Sequence, residues 1–143
     1  MSTIAPRTEP LSQPAGIYQP KGMLIDGKWV GSVSGQRITV ENPGKRTAVA
    51  EVPRAAAADV DLAVAAAERA FVAWKSVVPR ERGRLLLKIA EALEARAEEM
   101  ARTIALETGN ALRTQARGEA RLAADVFRYF GGLASELKGE TVP

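Results

Sequence analysis

"IALETGNALRTQARGE", Ile104 to Glu119, sets a carboxylate, a hydroxyl, a glycine and an amide side by side inside an otherwise helical pattern. Either a loop that does chemistry interrupts the helices here, or one helix stops and another begins. Gly109 follows a long amphipathic run and fits the position just past a helix end, where positive φ is usual and a missing Cβ removes the steric cost. Asn110 is placed to cap the helix that follows. Thr108, Gly109 and Asn110 therefore read as a junction between helices. Glu107 is left over, because a helix C-terminus disfavours an anion by about 0.3–1 kcal/mol. Two remedies fit: a nearby Arg or Lys, or a cation shared between the carboxylate and free backbone carbonyls.

Upstream of the junction, Pro79 suits the first position of a helix. Leu86, Ile89, Leu93, Ala97, Met100 and Ile104 then keep a three-four spacing up to Thr108, as one long amphipathic helix or two stacked end to end. Downstream, a further helix is expected from Ala111 to Leu137, with Leu122, Val126, Phe130, Leu133 and Leu137 as its apolar stripe. Gly131-Gly132 is expected to weaken and bend it, and Gly139 to end it.

Earlier still, "AADVDLAVAAAERAFVAWKS" is rich in alanine, the strongest helix former. Asp59 and Asp61 occupy its first turn, where the helix dipole favours negative charge. Val60, Val64, Ala67, Phe71 and Trp74 make one apolar stripe, and the small residues between them allow close approach to a sheet or another helix. In front of this helix, Asp26-Gly27 in "MLIDGKWV" is a two-residue type I′ turn signal between short apolar runs, with Trp29 packing one face of the hairpin. A second hairpin pairs Arg37–Glu41 with Thr47–Val52 around "NPGK", and Pro53 ends it. Residues 1–22 carry four prolines and few large apolar groups, so a flexible tail is expected.

The 143 residues suit one domain, and a chain of this size buries roughly 68–70% of its unfolded surface. Cysteine and histidine are both absent. That removes thiolate catalysis, disulfides and most zinc sites, together with the side chain that most often moves protons near neutral pH. Ser32, Ser34, Ser76 and Ser135 have no histidine to activate them. Glu98 and Glu99 are adjacent on a helix, face different ways, and read as solvated charge. "YFGGLASELKG" has glycines with no strand before them and fails as a phosphate-binding loop. The net charge of +3 is spread over interleaved Arg, Lys and Glu, which argues against nucleic acid. With no membrane span and no secretory signal visible, a cytoplasmic location is expected.

The order of the pieces adds a further reading. "MLIDGKWVGSVSGQRITVENPGKRTAVAEVPRAAAADVDLAVAAAERAFVAWK", then "PRERGRLLLKIAEALEARAEEMARTIALETGNAL" and "ARGEARLAADVFRYFGGLASELKGETVP", resemble the opening of the aldehyde dehydrogenase superfamily. The resemblance covers Met23 to Pro143. It implies an α/β fold: the N-terminal portion of a Rossmann-like cofactor domain, locally two short β-hairpins followed by three or four amphipathic helices. It also implies an NAD(P)-dependent enzyme that oxidises an aldehyde to a carboxylic acid. The catalytic cysteine, the general-base glutamate, the oxyanion-hole asparagine and the main cofactor contacts of the family would lie beyond Pro143. On this reading the 143 residues hold no catalytic or cofactor-binding residue, bind neither NAD nor NADP alone, and are inactive alone. The partners implied are the remainder of the enzyme or other subunits, in a homo-dimer or homo-tetramer. Asn110 and Ala111 stand where the family often has Lys and Pro. Some members hold a monovalent cation between the acidic residue of the "ETG" segment and a carbonyl just before the "NP" turn, which maps onto Glu107 and Val40. The alternative is a stand-alone helical interaction module derived from such an enzyme. On the fragment reading, the helix stripes are expected to present contiguous apolar surface to solvent.

Overall fold

The computed structural model describes residues 22–136 and 138–139. The expected tail, apart from Gly22, and Leu137 of the last stripe lie outside them. Two antiparallel hairpins come first: β1 (Met23–Ile25) with β2 (Lys28–Val30), and β3 (Arg37–Asn42) with β4 (Thr47–Pro53). Four α-helices follow: α1 (Ala57–Trp74), α2 (Pro79–Ala95), α3 (Ala97–Thr108) and α4 (Arg117–Leu133), with a π-helical segment, Leu112–Ala116, leading into the last.

The turn chemistry decides the first hairpin. Asp26 and Gly27 have φ of 53° and 72°, the two positive values that a type I′ turn demands. Trp29, expected to pack one face, is 48% exposed, because β1 and β2 are three residues each and offer too little surface to cover an indole. In the second hairpin Val49 is an extra residue between the pairs Val40–Ala50 and Glu41–Ala48, a bulge that shifts the register before the turn.

The long amphipathic run is two helices. Arg96, with φ −114° and ψ 15°, breaks it, and its backbone N–H closes a tight turn on the Leu93 carbonyl. Its guanidinium then grips Glu99 in the first turn of α3, at 2.6 and 2.9 Å. Pro79 stands in the opening turn of α2, as its fixed φ suits.

Packing departs from the expected stripes. Leu122, Val126, Phe130 and Leu133 of α4 are all exposed, whereas Ala120, Ala124 and Gly131 are buried. α4 turns its small residues toward α2 and α3, so the helices lie close. A Cβ built on Gly83 of α2 would stand 2.6 Å from the Gly131 carbonyl oxygen, and one on Gly131 would stand 3.0 Å from Leu87. The glycines thus act as a crossing point, and α4 runs through Gly131-Gly132 to Leu133, ending before Gly139. The core is accordingly made of alanines: Ala101, Ala116 and Ala120, ringed by Met100, Ile104 and Leu112. α1 packs on β1, and its stripe residues Val60, Val64, Phe71 and Trp74 are exposed.

Candidate functional site

The helix junction picked out in the sequence lies against the second hairpin. α3 runs beside β3 and ends at Gly109, whose φ of 79° is the left-handed value expected there. A Cβ on Gly109 would come within 2.9 Å of the Pro43 ring, so the "ETG" end of α3 rests directly on the "NP" turn. Asn42 organises that turn. It is 7% exposed, and its side-chain carbonyl accepts the N–H groups of Gly44 (2.9 Å) and Lys45 (3.0 Å). The Asn42 backbone carbonyl accepts from Arg46, which takes a positive φ of 55°. An Asn before Pro-Gly carries this Asx-turn signal.

The structure therefore brings together the two segments that carry Val40 and Glu107. Val40 is half-buried beside the bulge, and Glu107 is exposed on the last turn of α3. Among the described residues no Arg or Lys forms an ion pair with Glu107.

Asn110 does not cap the following helix. That helix opens with a wide turn in which the Ala116 N–H reaches back to the Ala111 carbonyl at 3.1 Å. The exposed first N–H, on Ala111, is met by the Gln115 side chain at 3.3 Å, while the Asn110 amide donates to Glu119 at 3.0 Å. The π-turn moves the helix start one residue past Asn110, out of capping register.

Asp59 does more than lie in a favourable dipole. It is 2% exposed, and its carboxylate accepts from the backbone N–H groups of Ala56 (2.8 Å) and Val33 (2.9 Å) and from the Ser32 hydroxyl (2.9 Å). These bonds, the backbone ones foremost, hold its carboxyl below the ordinary aspartate value. The clasp ties the start of α1 to the loop after β2.

Between α2, α3 and α4 a groove of about 410 Å³ is lined by Glu94, Glu98, Arg117, Arg121 and Asp125, among others. Glu98 takes a two-pronged bond from Arg117 (2.8 and 2.9 Å) and one from Arg102 (3.2 Å). The Arg117 fork is the main reason its carboxyl falls to about 2. Arg128 bridges Glu94 and Asp125, donating one bond to each carboxylate. The charges satisfy one another, but only Arg102 with Glu98 has the i,i+4 spacing within one helix that the sequence pattern implies; Arg117 with Glu98 and Arg128 with Glu94 join separate helices. Among the described residues no buried side-chain nitrogen or oxygen lacks a hydrogen-bond partner, so no orphaned group points at a ligand.

The profile of the aldehyde dehydrogenase family matches residues 29–143. The chain belongs to that family. It is 38% identical over 135 residues to an aldehyde dehydrogenase of Aspergillus niger, an alignment covering 92% of this chain and 27% of that protein. Among solved structures it is similar to PnpE from Pseudomonas sp. WBC-3, at 44% identity and TM-score 0.82, over 88% of this chain and 26% of that one. PnpE in complex with nicotinamide adenine dinucleotide gives a TM-score of 0.83. An NAD-dependent aldehyde dehydrogenase from Sinorhizobium meliloti matches at 43% identity and TM-score 0.79, over 83% of this chain and 24% of that one. The chain spans about a quarter of the length of each of these relatives.

Among the described residues of this aldehyde dehydrogenase chain, the helix that follows a strand does not fit a pyrophosphate. Free N–H groups at such a helix N-terminus are a recurring pyrophosphate site. Here α1 is the helix that follows a strand, and the Asp59 carboxylate already occupies its first turn, where it would repel a phosphate. These 143 residues contain no cysteine.

Proposed function

We propose that the 143 residues are the N-terminal segment of an NAD(P)-dependent aldehyde dehydrogenase that oxidises an aldehyde to a carboxylic acid in the cytoplasm. In this reading the segment is scaffold: it folds beside the machinery and is inactive alone. The observation that carries it is the match to about a quarter of the Aspergillus niger enzyme and of PnpE by a chain with no cysteine. The apolar faces agree. Phe71 and Trp74 of α1 and Val126 and Phe130 of α4 are large side chains exposed in a pattern that further polypeptide would cover, whether the rest of the enzyme or another subunit of a homo-oligomer.

The test is to read the source DNA past the codon for Pro143 and to assay the purified 143-mer with NAD and NADP against a panel of aldehydes. An open frame encoding a family cysteine, with no nicotinamide reduction by the 143-mer, is the expected result. A stop codon with a stable, monodisperse product would favour the interaction module instead, and turnover by material free of longer protein would overturn the scaffold reading.

We also propose that Val40, through its carbonyl, and Glu107, through its carboxylate, hold a monovalent cation in the complete enzyme. The nearness of Gly109 to Pro43, and the lack of an Arg or Lys ion pair to Glu107 among the described residues, support it. Stability of the complete enzyme should rise with sodium or potassium and lose that dependence in Glu107→Gln. An unchanged ion dependence in that variant would remove the idea.

A further inference from the structure

We draw no further inference here: the strongest candidate, the apolar groove between β1 and α1 lined by Met23, Leu24, Ile25, Val60, Val64 and Ala67, carries nothing because nothing in the structure shows what covers it.

Discussion

The α2–α4 pair and α1 are all amphipathic helices, and the structure treats them differently. α1 is rich in alanine, α2 and α4 are rich in charged residues, and each carries an apolar stripe. α2 and α4 meet at Gly83 and Gly131 and bury Ala90, Ala120 and Ala124 between α2, α3 and α4. α1 packs on β1, is tied at one end by Asp59, and leaves Val60, Val64 and Phe71 more than half exposed. Small residues let backbones approach until dispersion contacts accumulate on every side. Large residues on an unpartnered face gather none of that. Both regions turn large apolar side chains outward, but α2 and α4 also pack closely on each other within the segment, whereas α1 has no helix partner of that kind among the described residues.

The sharpest way to break the contrast is at the crossing. Gly83→Val would drive a side chain into the Gly131 carbonyl and should cost about 3 kcal/mol in chemical denaturation. Gly132→Ala, at a helical position with open space around it, should instead stabilise by up to about 1 kcal/mol. If the two variants behave alike, α2 and α4 are not packed as described.

Next comes the clasp on α1. Asp59→Ala leaves the Val33 and Ala56 N–H groups and the Ser32 hydroxyl without their acceptor. Amide exchange should accelerate across Ala57–Trp74 while Ala101 and Ala120 keep their protection. Equal loss in both regions would mean that α1 is more strongly coupled to the helical core than its contacts suggest.

A smaller effect is expected from acid. Glu98 links α3 to α4 through Arg117, and its folded carboxyl titrates near 2 against an ordinary value of 4.5. A depressed carboxylate contributes stability that is fully present above its unfolded value and is lost as pH falls through its folded value. The Glu98 contribution should therefore persist above about pH 4.5 and disappear toward about pH 2. Carboxyl NMR would follow the titration, and Glu98→Gln should flatten that part of the stability profile. Both partners are substantially solvent-exposed, so the change is modest.

The smallest effect on folding belongs to the outer stripe. Phe71→Ser, at a side chain 58% exposed, should change unfolding free energy by no more than about 0.5 kcal/mol while reducing self-association in light scattering. A large loss of stability would show that the α1 face is already covered within the segment.

Some of this was legible in the residues. Asp26-Gly27, Pro79 and Gly109 each carry a backbone requirement that few conformations meet, and each stands where that requirement places it. Spacing alone accounts for Arg102 with Glu98, but not for Glu94 with Arg128 or Glu98 with Arg117, which join separate helices. The segments carrying Val40 and Glu107 were picked out by resemblance, and the fold places those segments side by side. Asn110 was misread because a cap depends on the phase of the first helical turn, and a π-turn shifts that phase without a local sequence signal. The alanine core was misread because a stripe of Leu, Val and Phe is the stronger apolar signal, yet the nearest neighbour of α4 is a helix that comes too close to admit it.

By itself, the sequence determined the backbone's punctuation, its helical and extended stretches and the family to which they point, because turns, propensities and periodicity act over a few residues. Only the tertiary structure decided which face of each helix was used within the segment, that two glycines form the crossing, and that one aspartate anchors α1. Those outcomes depend on distances between residues far apart in the chain, such as Gly83 and Gly131 or Ser32 and Asp59, which no local pattern encodes.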